Sequence, residues 1–101
     1  MQIEKVNKTD VQVLVNATGA NTVFKDVKVV VCAEKVKQAQ GQIYLLNDVS
    51  KVVGSFSYSA NSAAGGNYIN VSVQVDALSS VSEDIISFIN AIEADTNIIN
   101  L

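Results

Sequence analysis

The sequence predicts an α+β fold: a mostly antiparallel β-sheet of five to six strands with one helix near its C-terminal end packed on it. Three observations predict it. Residues 1–77 are dominated by alternation of apolar and polar side chains, the period of a half-buried strand. Residues from about 80 to 95 switch to helical spacing. Asn- and Gly-rich turns separate the apolar runs, with no linker and no fixed-period repeat to divide the chain. At 101 residues it reads as a single domain, long enough to bury a core. The alternative architecture is a small β-sandwich with an appended helix.

Val11, Val13 and Val15 alternate with Gln12 and Leu14, a first strand with valine on one face. Ile3 to Lys8 also tolerates an extended backbone. Asn16-Ala-Thr-Gly-Ala-Asn21 reads as a turn, because Asn and Gly accept left-handed geometry. The next strand runs from Val27 to Ala33. It places Val27, Val29, Val31 and Ala33 on one face and Lys28, Val30 and Cys32 on the other. Two apolar faces suggest a central or doubly covered strand, with Cys32 a small buried hydrophobe. A reactive thiol would need a cation to depress its pKa, and Lys35 and Lys37 are the nearby candidates.

Glu34 to Gln40 fits a short helix or a polar strand, and a loop or strand extension is the preferred reading. Ile43 to Leu46 follows as a strand, and Asn47-Asp48 turns the chain. In the stretch from Val49 to Ser59, Val52, Phe56 and Tyr58 share one parity with Gly54. They are assigned to the core. Val53, Ser55, Ser57 and Ser59 are assigned to solvent or a partner. Asn61-Ser-Ala-Ala-Gly-Gly-Asn67 is a loop whose Gly65-Gly66 pair permits positive φ. The strand after it, Tyr68 to Val75, buries Ile69, Val71, Val73 and Val75 and exposes Tyr68, Asn70, Ser72 and Gln74. Ser80-Val-Ser-Glu83 has the spacing of a capping box, with Asp84 a favourable charge in the first helical turn. Val81, Ile85, Phe88, Ile89 and Ile92 then form the stripe that faces the sheet. Ile98, Ile99 and Leu101 make an apolar tail, read as local packing or as a contact with a neighbour.

Composition removes much chemistry. The chain has no histidine, no arginine and one cysteine. No Ser-His-Asp triad, imidazole metal ligand, thiolate zinc cluster or intrachain disulfide can form from these residues. Without arginine there is no guanidinium fork for phosphate or guanine, and a net charge of -3 repels nucleic acid. The Gly65-Gly66 loop is followed by a strand, which argues against a phosphate cradle. Asp26, Asp48 and Asp76 are too isolated for a calcium loop, and nothing marks a cleft between paired carboxylates. No enzyme activity, metal or cofactor is therefore expected. No apolar run reaches the length of a membrane helix, and the first residues lack the basic-then-apolar order of a signal peptide. Localisation stays open, with a virion or extracellular setting the compositional suggestion.

Charged residues make up only 17%, so Ser, Thr, Asn and Gln must cover much of the surface. The charge is also uneven. Residues 1–78 hold all seven lysines against six carboxylates, a net of +1, and residues 79–101 carry -4. Asn7-Lys-Thr9, Asn16-Ala-Thr18 and Asn70-Val-Ser72 match the N-glycosylation pattern, which is common by chance in such a chain. The expected function is a structural, non-enzymatic role. The chain would be a β-rich subunit of an oligomer, such as a virion capsid or tail, a fibre or a surface layer. Its partners would be proteins, copies of itself or other subunits. The candidate contact residues are Tyr68, Gly65, Gly66, Asn67, Ile98, Ile99 and Leu101. The alternatives are a small module binding glycan or peptide, with Tyr44, Tyr58 and Tyr68 as possible platforms, and an accessory or inhibitor protein.

Overall fold

A computed structural model describes residues 1–2, 10–61 and 66–100. It contains β1 (Val11–Thr18), β2 (Thr22–Cys32), β3 (Lys35–Leu45), β4 (Val52–Asn61) and β5 (Gly66–Val73). A 3-10 turn at Val75–Ala77 leads into α1 (Leu78–Ala94), and a short α2 (Thr96–Ile99) follows. The strands form one antiparallel sheet in the order β1-β2-β3-β4-β5, each paired with its neighbour in sequence. The expected α+β architecture is therefore the observed one, with five strands and one face covered by helix. Short connections favour such a meander, because each hairpin forms from adjacent segments.

Three bulges set which side chains reach the core. In β2 an extra residue between Phe24 and Val27 reverses the alternation, and Asp26 there adopts φ 51°. The Asn16 side-chain oxygen accepts the Asp26 N–H at 2.8 Å and stabilises this bend. Phe24 and Thr22 consequently join Val27, Val29 and Val31 on the buried side. In β3 Lys37 is extra opposite Val30 and Val31, so Val36 and Ala39 both point inward. In β4 Val53 is extra opposite Ile43 and Tyr44, which buries Val53 and leaves Val52 exposed. The expectation that Val52 lies in the core and Val53 outside it is overturned by that single insertion.

The core centre holds all three phenylalanines of the chain. Phe24 stacks on Phe88 with ring centroids 4.6 Å apart, and Phe56 meets both edge-on at 5.8 and 5.9 Å. The expected helix stripe of Val81, Ile85, Phe88, Ile89 and Ile92 is buried as a whole. It lies across β3, and α2 lies against β2. Burying those five side chains contributes on the order of 1.5–3 kcal/mol each.

Other local expectations are corrected. Helix α1 begins at Leu78, with Ala77 as its N-cap and no side-chain cap bond, so Ser80 and Glu83 form no capping box. Asp84 is not a first-turn charge. It lies two turns in and is buried. Ala33 and Glu34 take positive φ in the tight β2–β3 turn, which places Ala33 at the surface instead of on the valine face. The ambiguous stretch from Glu34 is almost wholly strand, continuous with Ile43. Val75 sits in the 3-10 turn and is exposed, and Ile69 on β5 is also exposed. Cys32 is half-buried, because no second layer covers the other face of β2 among the described residues. The same openness removes the doubly covered strand and the sandwich.

Candidate interaction surfaces

Helix α1 is fastened to the sheet by a different polar contact on each flank. On the β1–β2 side the buried Asp84 carboxylate accepts the Thr22 hydroxyl at 2.5 Å and the Asn21 N–H at 3.0 Å. Gly19 lies directly against it, and a Cβ there would come within 2.5 Å of the Asp84 Oδ2. A side chain at this position would force the Asp84 carboxylate to shift from its seat in the turn. On the β4–β5 side the Tyr58 hydroxyl donates to Glu93 Oε1 at 2.6 Å and accepts from the Asn67 amide at 3.1 Å. Burial first, then the hydrogen bond and negative charge of Glu93, push the Tyr58 phenol up to about 12.

Beyond the Tyr58 contact, the β5 side is open among the described residues. Ile69, Ile86, Ile89 and Asn90 line a shallow groove between β5 and α1, with Tyr58 at its floor. Ile86 is 61% exposed and Ile69 45%. Nearby, Val75 and Leu78 are exposed at the entry to the helix. Strand β5 is the edge of the sheet, and its sequence GNYINVSV carries no charge and no proline. Those are the devices by which exposed edges usually resist pairing.

A second concavity of about 480 Å³ lies at the β2–β3 turn and includes Glu34, Lys35, Lys37, Tyr58 and Glu93. Beside it Lys37 pairs with Asp10 at 3.0 Å. That lysine and the Cys32 thiol, both hydrogen-bonded to Asp10, hold its carboxyl below the usual carboxylate range, and the lysine is raised in return. Among the described residues no three His, Cys, Asp or Glu side chains gather as a metal site. No helix among them is long and apolar enough to cross a membrane.

The sheet face away from the helix is polar across β3, β4 and β5. Gln38, Gln40 and Gln42 on β3 stand opposite Ser59, Ser57 and Ser55 on β4, which in turn face Tyr68, Asn70 and Ser72 on β5. Lys28 and Leu14 continue the middle row. Lys25 lies 5.5 Å from the centroid of the Tyr44 ring.

The sequence-derived contact residues divide accordingly. Tyr68 is 54% exposed on the open face, and Gly66 and Asn67 are exposed at the start of β5, Asn67 bonded to Tyr58. Ile98 and Ile99 are half-buried and pack against the core. Gly65 and Leu101 lie outside the described residues, as does Asn7. Of the other glycosylation motifs, Asn16 is engaged at the β2 bulge and Asn70 is exposed on β5. The structure adds Ile69 and Ile86 to the candidate surface and Asp84 to its support. Asp84 had a signal in the sequence: a carboxylate three residues after Val81 and four before Phe88 falls within the arc of the apolar stripe. Comparisons with protein-family models, with curated proteins and with solved structures found no match to the chain.

Proposed function

We propose that this chain is a non-enzymatic subunit of a protein assembly, acting through contacts made at the β5 edge of its sheet. The observation that carries this reading is the eight-residue β5 strand, uncharged and free of proline, with Ile69 and Ile86 exposed beside it. Such an edge offers unpaired backbone donors and acceptors next to apolar surface, the combination that strand addition uses. The composition supports the same reading, since the chain lacks histidine and arginine and carries few charges.

The test is the mass in solution by light scattering across a dilution series up to millimolar concentration. A mass above that of one chain is expected. A single-chain mass throughout would overturn the proposal. The second reading, a glycan-binding module, draws on the Gln/Ser/Asn face around Tyr68 and Tyr44. Binding of an oligosaccharide that is lost on Tyr68→Ala, together with a monomeric mass, would select it.

A further inference from the structure

We infer that β5 pairs with β5 of a second copy, antiparallel about a two-fold axis, to give one continuous ten-stranded sheet. The inference rests on the assembly reading and names its partner. Three observations carry it.

First, the strand is compatible with itself. Between Gly66 and Val73 there is no Lys, Asp or Glu, so antiparallel self-pairing brings no like charges opposite one another. Second, symmetry puts the exposed apolar residues together. Antiparallel pairing of two identical edges places the two-fold axis perpendicular to the sheet, so both α1 helices lie on the same face. The flank of α1 that faces the axis is the one bearing Ile86 and Asn90, which with Ile69 borders the groove beside β5. Ile69 of the two copies would thus meet over the strand seam, with Ile86 of each copy flanking it on the helix side.

Third, the other edge does not offer the same match. Strand β1 is also eight residues and uncharged. Its inward residues are all half-buried, with Ile98 and Ile99 packed on the same core, whereas on β5 only Val71 and Val73 are half-buried and Ile69 is exposed. A β1–β5 contact would leave the exposed Ile69 and Ile86 without their own copies as apolar counterparts. It would also be head-to-tail, closing into a ring or growing as a filament instead of stopping at a dimer.

The experiment is sedimentation equilibrium of the full chain, its Asn70→Lys and Gln12→Lys variants, and Ile86→Asp. Asn70 in the middle of β5 and Gln12 near the start of β1 are both exposed, so circular dichroism should report native folds for both lysine variants. A discrete dimer is expected for the parent chain and for Gln12→Lys. Asn70→Lys should weaken it by about tenfold or more, equivalent to about 1.4 kcal/mol. Ile86→Asp, altered on the helix instead of the strand, should weaken it similarly. A dimer unaffected by Asn70→Lys and Ile86→Asp would overturn the β5 pairing while leaving the assembly reading in place. Species that keep growing with concentration and are broken by Gln12→Lys would overturn it in favour of the head-to-tail contact. A chain monomeric at all concentrations would remove both readings.

Discussion

The two edges of the sheet are alike in sequence and different in setting. β1 and β5 are each eight residues long, uncharged and alternating. The inward residues of β1 are all half-buried, whereas on β5 Val71 and Val73 are half-buried and Asn67 and Ile69 are exposed. The difference arises in the helical layer. Asp84 draws α1 toward the β1–β2 turn, and α2 adds Ile98 and Ile99 on that side. On the β5 side the side-chain hydrogen bonds converge on the Tyr58 hydroxyl, which donates to Glu93 of α1 and accepts from Asn67 of β5. Edge strands of equal propensity therefore acquire different exposure from where a helix is fastened, a property that neither strand carries alone.

The largest effect should come from removing what both edges depend on. Phe88→Ala empties the centre of the three-ring cluster and should cost about 3–5 kcal/mol in urea unfolding. A loss below about 1 kcal/mol would mean that the helix does not hold the layer in place. Next, Asp84→Ala leaves the Thr22 hydroxyl and the Asn21 amide without their acceptor, at a cost of about 3 kcal/mol. The comparison becomes sharper if the loss is local: hydrogen exchange at the Asn21 amide should accelerate more than exchange near Tyr58. Equal acceleration on both sides would show that Asp84 does not act selectively on the β1 side.

The polar contact on the β5 side has its own signature in pH. Tyr58 ionises near 10 in the unfolded chain and is pushed up to about 12 in the fold. Between those values the native state holds a proton that the unfolded state has released, so stability falls as pH rises. The loss should approach about 2–3 kcal/mol by pH 12. Urea unfolding of the parent chain and of Tyr58→Phe at successive pH values checks it, since the variant should lack this part of the alkaline slope. Identical slopes would remove Tyr58 from the account.

Much of this fold was legible where periodicity runs unbroken. Val81, Ile85, Phe88, Ile89 and Ile92 stand at helical spacing, and all are buried. Val11, Val13 and Val15 likewise share their expected face. Legibility failed at the bulges. The insertion at Lys37 spaces Val36, Ala39 and Ile43 by three and four residues, which imitates a helix within a strand. Val53 shifted parity in β4 for the same reason. Of the contact residues read from the sequence, Gly66, Asn67 and Tyr68 lie on the β5 edge that we propose as the contact surface, because a Gly-rich turn and an uncharged strand are both visible in sequence. Ile86 was not identified, since helical spacing separates it from the stripe without saying whether anything else covers it. Exposure of that kind depends on the distance between α1 and β5, a tertiary quantity.

Ile86 supplies the smallest effect and the closest control on the comparison. In dilute solution, where association is absent, Ile86→Ser should change stability by less than about 0.5 kcal/mol, because the residue is already 61% exposed. Ile98→Ser makes the same chemical change on the β1 side, where the residue packs against the core, and should cost about 1–2 kcal/mol. At higher concentration the ranking should change. A dimer that forms only from folded chains raises the melting temperature with concentration. The parent chain and Ile98→Ser should show that rise, and Ile86→Ser should lose most of it. If Ile86→Ser cost as much as Ile98→Ser in dilute solution, the β5 side would be covered within one copy. The two edges would then differ less than their exposures indicate.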